Sequence, residues 1–190
     1  MQLRYFFLTI LLFLVSEDFS FAQQQTEWTV PEGTITHLAE EPINDIEYSP
    51  DGKLLAVASD SGIWLYDTVT HQEVTRLVGH TGLVNSISFS PDSTKLASGD
   101  SRGWIYLWGV ANRTRLWRWH PGSGRASVSF SPGGQTVASG AREYLRLLNV
   151  ATGRYSSQHV GDWVAIQSVS FSPNGRMVAI GSADGRVFLR

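Results

Sequence analysis

The dipeptide Ser-Pro recurs four times in this 190-residue chain, each time 41 residues after the previous copy. The copies begin at Ser49, Ser90, Ser131 and Ser172. An aliphatic residue stands three positions before each of these serines, an aromatic residue one position before it, and an alanine seven positions after it. Because several independent columns share one period, the chain contains a structural repeat, and a period of 41 residues is typical of a propeller blade rather than of a helical array.

Each repeat opens with alternating residues, as in Ser86-Ile87-Ser88-Phe89-Ser90. Alternation with a period of two predicts a strand, and serine on one face leaves room for a neighbouring sheet. The sequence Ser49-Pro50-Asp51-Gly52 that follows the first such strand favours a tight turn, so a hairpin is expected. A second strand rich in small residues, a third apolar strand and a less regular fourth strand complete the unit.

The sequence therefore predicts an all-β fold, a β-propeller of four-stranded antiparallel blades. Such a small sheet cannot bury both faces alone, so neighbouring blades are expected to supply the core. Three blades are complete and a fourth is partial, because the chain stops in its third strand. The predicted units are residues 43–83, 84–124, 125–165 and the incomplete 166–190, after an N-terminal segment 23–42.

Three motifs carry a resemblance to a known family. They are the run SPDGKLLAVASDSGIWLYD from Ser49, the Gly79-His80 pair and the run SPDSTKLASGDSRGWIYLW from Ser90. Together they are similar to blades of the WD-repeat (WD40) propellers, and the resemblance covers about Ile43 to Arg190.

The resemblance implies a hydrogen-bonded network inside a blade, to which His80, Ser98 and Trp108 would belong. In the family this network ends on a buried aspartate in the turn before the third strand, a position that matches Asp184 in the fourth repeat. The aligned position in the second repeat is Arg102, so we expect an incomplete network there unless Asp100 substitutes.

The number of predicted strands does not decide whether the blades form a closed ring. Thr34 to Leu38 is a candidate for a lone outer strand that would complete the last blade and close a ring of four. WD-type blades usually form larger rings, however, and the chain ends one residue before an expected tryptophan. We therefore expect an open arc that is a fragment of a longer propeller.

Residues 1–22 have the pattern of a cleavable signal peptide. Arg4 precedes an apolar run of 11 residues from Tyr5 to Val15, and Ser20-Phe21-Ala22 offers small residues where a signal peptidase cleaves. A membrane anchor is the alternative, but a span needs about 20 apolar residues, and a buried core helix is a third. The expected location is periplasmic, cell-surface or extracellular, with no membrane span after cleavage.

The composition excludes several classes of function. A net charge of −2 gives no basic footprint for nucleic acid, and the absence of cysteine excludes disulfides, thiol catalysis and cysteine-ligated zinc. The histidines show no shared spacing and no metal-ligand pair, so no metal or cofactor is expected; they are His37, His71, His80, His120 and His159.

No enzyme signature emerges from the remaining motifs. His80 could be a general base, but a structural histidine is the expectation. Thr152-Gly153 is similar to a turn of quinone-dependent propeller dehydrogenases and also to ordinary WD-type blades, and Asn112-Arg113-Thr114 fits an N-glycosylation acceptor.

We therefore predict a non-enzymatic scaffold that binds a protein or peptide through one propeller face. That face consists of the loops that enter the first strands and those between second and third strands. The candidate binding residues, which could equally be ordinary turn or packing residues, are Arg102, Trp104, Arg142, Glu143, Asp162 and Trp163. The alternatives are a propeller enzyme, either a quinone-dependent dehydrogenase or a metal-dependent hydrolase with its active site in further blades, and a structural module of a larger envelope protein.

Overall fold

A computed structural model describes residues 41–120, 122–162 and 165–190. All of these residues belong to the unit Thr36–Arg190. The predicted signal peptide and the candidate closing strand Thr34 to Leu38 therefore lie outside the described residues.

The described residues form four antiparallel β-sheets and no helix. The first sheet contains β1 (Ile43–Tyr48), β2 (Leu54–Ser59), β3 (Gly62–Asp67) and β4 (Glu73–Leu77). The second contains β5 (Val84–Phe89), β6 (Lys95–Asp100), β7 (Ile105–Gly109) and β8 (Thr114–Trp119). The third contains β9 (Ser127–Phe130), β10 (Thr136–Ala141), β11 (Tyr144–Asn149) and β12 (Tyr155–His159). The fourth contains β13 (Ile166–Phe171), β14 (Val178–Ser182) and β15 (Val187–Leu189).

Strands follow one another across each sheet in chain order, which is the connectivity of a propeller blade. The predicted fold class is confirmed: three blades have four strands, and the described part of the fourth has three. The first strands pack in series, β1 on β5, β5 on β9 and β9 on β13. No comparable packing joins β13 to β1 in the described part of the chain, so the four blades form an arc.

The Ser-Pro turns join the first two strands of each blade. In the first blade, Ser49 Oγ donates to Asp51 Oδ1 over 2.7 Å and accepts the amide of Leu54 over 2.9 Å. Gly52 then takes a φ of +72°, a conformation that glycine adopts without steric cost. The serine hydroxyl thus fixes the hairpin from inside the turn, which accounts for the regular recurrence of the serine.

The core consists of three apolar clusters, one between each pair of consecutive blades. Small residues on the second strands let the blades approach closely. At Gly99 on β6, an added Cβ would lie 2.5 Å from the carbonyl oxygen of Ala126 in the third blade. Since that distance is far below van der Waals contact, any side chain there would force the second and third blades apart.

A second set of contacts joins the innermost strands, and we call each set a seam. Each seam consists of two side chains on one first strand that accept hydrogen bonds from two backbone amides of the next first strand. In the first seam the acceptors are Asp45 and Glu47, which bind the amides of Ile87 and Phe89 over 2.9 and 2.7 Å. In the second and third seams the acceptors are serine hydroxyls, over 3.1 to 3.2 Å: Ser86 to Val128, Ser88 to Phe130, Ser127 to Val169 and Ser129 to Phe171.

The two ends of the arc expose faces that are buried between blades elsewhere. On β1, Ile46 and Tyr48 are 60% and 64% exposed, whereas the corresponding Ile87 and Phe89 on β5 are 5% and 3% exposed. The difference arises because β5 packs against the first blade, while no described strand packs on the outer face of β1. Ile46 and Tyr48 therefore mark one end of the described set of blades.

Candidate functional site

The second blade contains a buried chain of polar side chains. His80 lies on the segment that enters β5; its Nδ1 contacts Asp100 Oδ2 at 2.9 Å and its Nε2 contacts Ser98 Oγ at 2.6 Å. Trp108 Nε1 donates to the same hydroxyl over 2.8 Å. The Tyr106 ring stacks on the imidazole at a centroid distance of 4.0 Å. With the His80 side chain 2% exposed and that of Asp100 fully buried, the histidine is surrounded by protein and is positioned for a structural role.

Asp100 substitutes for the aligned Arg102 and completes the network, which is the alternative that the sequence left open. Asp100 is the last residue of β6, two positions before the aligned Arg102, and its Oδ1 also accepts the amides of Arg102 and Trp104 over 2.9 Å each. Burial by itself raises the pKa of Asp100, but its hydrogen bonds to His80 and to the Trp104 amide outweigh that effect and hold the pKa below its usual value.

Asp184, which was expected to be the buried aspartate of the fourth blade, is exposed. It forms an ion pair with Arg186 and accepts a hydrogen bond from Ser182 Oγ, and these contacts lower its pKa to about 2. Its turn contains no histidine partner among the described residues. The side chain therefore caps its own turn and takes no part in a buried network.

The candidate binding residues lie at one end of the blades, on a surface that we call the loop face. It consists of the turns 101–104 and 142–143 together with the described parts of the segments 120–126 and 160–166 that enter β9 and β13. The predicted residues on it are Arg102, Trp104, Arg142, Glu143 and Asp162, whereas Trp163 lies outside the described residues.

Trp104 is the centre of an aromatic and cationic cluster on the second blade. Its ring contacts the His120 ring at 4.6 Å between centroids, and the Arg118 guanidinium lies over it at 5.1 Å. His120 Nε2 in turn contacts the backbone oxygen of Arg102 at 3.1 Å. Trp104 is only partly buried, so its ring both packs on the core and remains available at the surface.

A cavity of about 230 Å³ lies beside this cluster, on the third blade. Arg142 and Glu143, which were predicted from the sequence, line it. The other lining residues are Gly122, Ser123, Ala141, Tyr144 and Arg146. The turn of the second blade is continuous with the cavity, since an added Cβ on Gly103 would lie 2.1 Å from the backbone oxygen of Gly122.

Asp162 connects to the same cavity through two aromatic side chains. Its Oδ1 lies 3.5 Å from His159 Nε2, and the His159 ring contacts the Tyr144 ring at 5.2 Å between centroids. The backbone also fixes this arrangement, because Arg142 and Glu143 accept the amides of Ile166 and Val160 over 2.9 and 2.8 Å. The five described candidates therefore lie along one continuous surface.

Two residues that line this cavity beside the loop face, Tyr144 and Arg146, were not predicted from the sequence. The Arg146 guanidinium lies 4.9 Å from the centre of the Tyr144 ring and 5.6 Å from that of Trp119, and burial lowers its pKa. The alternation of Tyr144 and Arg146 on the third strand was a usable signal, because residues two apart on a strand share a face.

A groove of about 550 Å³ lies at the opposite end of the blades, between the Ser-Pro turns of the third and fourth blades. Across the described ranges, no three His, Asp or Glu side chains converge in a way that could hold a metal ion. The same ranges contain no helix that is long and apolar enough to cross a membrane.

Comparison with known proteins supplies several partial matches. A guanine nucleotide-binding protein subunit beta of Schizosaccharomyces pombe is 34% identical over 67 residues, which is 35% of this chain and 22% of that protein. WD repeat-containing protein 1 of Xenopus tropicalis is 36% identical over 85 residues, or 43% and 14% of the two chains. Human apoptotic protease-activating factor 1 is 36% identical over 103 residues, or 50% and 8%. The chain thus spans less than a quarter of the length of each of these relatives.

The family described as WD domain, G-beta repeat matches residues 30–67, 71–109 and 154–189. These matches cover more than half of the chain, and they include strands of the first, second and fourth blades. Both the sequence match and the blade architecture point to the same assignment. The chain belongs to the WD40 family of β-propeller proteins.

Proposed function

We propose that this chain is a protein-interaction module that binds an acidic peptide segment on the loop face. WD40-repeat proteins generally act as scaffolds for protein interaction. The observation that carries the proposal is the continuity of the loop face, where a cavity of about 230 Å³ on the third blade lies beside the aromatic and cationic cluster of the second blade. A surface of that kind offers an extended partner several contact points at once.

The composition of the loop face supports a partner of this chemistry. Tryptophan, tyrosine and arginine are the residues that most often dominate binding energy at protein interfaces, and Trp104, Tyr144 and Arg142 are all exposed or partly exposed here. Five arginines stand against two carboxylates on and beside this surface; the charged residues are Arg102, Arg118, Arg125, Arg142, Arg146, Glu143 and Asp162. An excess of cations favours a segment that carries carboxylates.

The test is selection of binders from a displayed library of random peptides, followed by titration of the selected peptides against variants. Acidic peptides should be enriched, and Arg102→Glu and Arg142→Glu should each weaken binding at least tenfold. Arg154→Glu is the matched control, because Arg154 is exposed at the opposite end of the third blade. The proposal would be refuted if neither charge reversal changed the affinity of the selected peptides, or if the library yielded no binder.

We also propose that the chain is exported and that residues 1–22 are removed. The support is the apolar run of Tyr5 to Val15 followed by Ser20-Phe21-Ala22. N-terminal sequencing of exported material should give a start at or near Gln23. A product that begins at Met1 and remains membrane-integrated would contradict export with cleavage.

A further inference from the structure

The outer edges of the first three blades differ in how well they are protected from pairing with another chain. In each blade the fourth strand pairs only with the third, so no described strand lies on its outer edge. Both β4 and β8 contain an extra residue, Val74 and Leu116, where the register to the third strand shifts. Both also carry charged side chains, which are Glu73, Arg76, Arg115 and Arg118. Bulges and charges are among the devices that keep an edge strand from accepting a further strand.

The fourth strand of the third blade, β12, has neither form of protection. Its five residues pair with β11 in an unbroken register, and none of them is Asp, Glu, Lys or Arg. The third blade packs between the second and fourth blades, so β12 is the outer strand of an inner blade. A regular and uncharged edge of this kind is suited to strand addition.

The backbone of β12 presents alternate residues to the outside. Val160 donates its amide to the carbonyl oxygen of Glu143 over 2.8 Å. At the other end of the strand, the carbonyl oxygen of Arg154 accepts the amide of Asn149, also over 2.8 Å. Because Arg154 and Val160 are an even number of residues apart in a regular ladder, every second residue between them also bonds to β11. The amides and carbonyl groups that point away from the sheet are therefore those of Tyr155, Ser157 and His159.

The side chains beside this edge indicate which residue a further strand should carry. Arg146 on β11 lies directly opposite Ser157, in a pair of the type that brings side chains closest together. Its guanidinium lies over the Tyr144 ring, 4.9 Å from the centre. Since the serine side chain is short, a carboxylate on the next strand outward can approach Arg146 across Ser157. An acidic residue is therefore the complement at that position.

The two flanking positions on the same face of β12 are aromatic. The Tyr155 ring contacts the Trp119 ring at 4.5 Å between centroids, and the His159 ring contacts the Tyr144 ring at 5.2 Å. A β-branched residue opposite an aromatic side chain stabilises a strand pair, and β-branched residues also favour the extended backbone. The edge of β12 thus matches an extended segment in which an acidic residue stands between two β-branched residues.

We propose that β12 binds an extended acidic segment of a partner protein as an additional antiparallel strand. This inference rests on the proposed function and specifies how the acidic segment continues beyond the loop face, because β12 ends at His159, where the segment 160–166 begins. The residue opposite Ser157 exchanges two backbone hydrogen bonds with it and directs its carboxylate to Arg146. Backbone hydrogen bonds supply the affinity of such a strand, and the side chains supply its specificity.

The experiment titrates the whole chain with a capped, fluorescein-labelled peptide, Val-Thr-Glu-Thr-Val, and follows fluorescence anisotropy. Ser157→Pro removes an outward amide and leaves the ladder to β11 intact, since proline is tolerated on the solvent side of an edge strand. Leu116→Pro is the matched control. Leu116 has the equivalent position in β8, is 46% exposed and lies at the register shift, where proline is also tolerated. Circular dichroism checks that both variants fold.

The wild-type chain and Leu116→Pro should bind the peptide alike, and Ser157→Pro should bind it about tenfold more weakly, as expected for the loss of one or two hydrogen bonds. N-methylation of the glutamate in the peptide blocks the same pair from the other side. It should weaken binding to the wild-type chain by a similar factor, and this measurement does not depend on the folding of a variant.

The carboxylate is tested by exchanging the glutamate of the peptide for glutamine. The glutamate peptide should bind the wild-type chain more tightly than the glutamine peptide, whereas Arg146→Gln should bind both equally. Equal binding of the two peptides by the wild-type chain would overturn the assigned role of Arg146 and with it the proposal.

Further outcomes separate this inference from the proposed function. Library peptides that respond to Arg102→Glu and Arg142→Glu but not to Ser157→Pro would overturn strand addition and leave the proposed function standing. Strand addition would also be overturned if neither Ser157→Pro nor N-methylation weakened binding, or if the capped peptide did not bind. A dimer of the chain that Ser157→Pro dissociates, measured by sedimentation velocity, would identify a second copy as the occupant and overturn the proposal.

Discussion

The second and third blades have the same architecture and are stabilised inside by different means. In the second blade, His80 connects Asp100, Ser98 and Trp108 through buried hydrogen bonds. In the third blade, the corresponding positions of Asp100, Ser98 and Trp108 are Ala141, Ser139 and Leu148, and all three are buried. The Ser139 hydroxyl has no hydrogen-bond partner within the described residues.

The first strands of the two blades are also bound differently. Carboxylates of Asp45 and Glu47 bind the amides of β5, whereas hydroxyls of Ser86 and Ser88 bind those of β9. Burial raises the pKa of Glu47 to about 7 and also raises that of Asp45. Packing of small and apolar residues therefore specifies the blade, while buried polar groups differ from blade to blade and have their own energetic consequences.

The largest difference between the blades should come from His80→Ala. The substitution leaves Asp100 buried with only backbone partners and removes one bond from Ser98, so we expect a loss of about 3 kcal/mol in the free energy of unfolding. Urea denaturation followed by tryptophan fluorescence measures it. A loss below about 1 kcal/mol would mean that packing alone holds the second blade, as it holds the third.

A smaller effect, about 2 kcal/mol after allowance for partial exposure, is expected from Glu47 as the pH changes. The pKa of this carboxyl rises from 4.5 in the unfolded chain to about 7 in the fold. The folded state therefore binds the proton more tightly, and the free energy of unfolding should fall as pH rises from 4.5 to 7. The loss is complete above pH 7 and absent below 4.5.

Glu47→Gln keeps an acceptor for the Phe89 amide and removes the charge. It should flatten the pH dependence and stabilise the chain at pH 8, as measured by urea denaturation at several pH values. Ser88→Ala in the second seam is the control, since it removes an acceptor that does not titrate and should leave the slope unchanged. An unaltered slope in Glu47→Gln would assign the dependence to another group.

Replacing the buried serine of the second strand by alanine should change the free energy of unfolding in opposite directions in the two blades. Ser98→Ala removes the acceptor of Trp108 Nε1 and the partner of His80 Nε2, so a loss of about 1.5 kcal/mol is expected. Ser139→Ala removes a buried hydroxyl that lacks a partner and should be neutral or stabilising by about 0.5 kcal/mol. Thermal denaturation of both variants in parallel measures the difference, and equal losses would contradict the contrast.

The smallest effect concerns a contact that joins the two blades. Trp117 Nε1 on the second blade donates to the backbone oxygen of Val150 on the third over 3.1 Å. Trp117→Phe keeps most of the packing and should cost about 1 kcal/mol. The bond joins the second and third blades and does not involve the His80 network. The loss in the free energy of unfolding should therefore be the same in the wild type and in the His80→Ala background, which a double-mutant cycle measures.

Much of the fold could be predicted from the sequence, because the repeat period and the turn residues determine strands and hairpins through local sequence. The four strands predicted for a full repeat are all present in each of the first three blades, and the Ser-Pro turns join the first two strands as expected. The role of Asp100 was harder to predict, since the aligned position in its turn is Arg102. Only the three-dimensional path of the turn shows that the last residue of β6 reaches His80.

The seams were only half predicted. The serine alternation was interpreted as room for a neighbouring sheet, and the hydroxyls in fact accept backbone amides of that sheet. The first repeat has Asp45 and Glu47 at the positions where the later repeats have serine. This difference could have indicated the seams, because serine, aspartate and glutamate share little except the ability to accept a hydrogen bond. The loop face depends on contacts between distant segments, such as Arg142 with Ile166, that no local pattern encodes.

The acceptors in a seam recognise backbone amides and no particular side chain, and this has a consequence for how such proteins change over generations. A strand of almost any sequence can satisfy Ser86 and Ser88, provided that its amides are free and its backbone keeps the spacing. A duplicated blade would therefore fit beside its parent at once, and a deleted blade would leave two surfaces that already match. Duplication or deletion of one repeat can then add or remove a whole blade and still leave matching seams. A one-residue insertion within a first strand would instead misalign both of its seams.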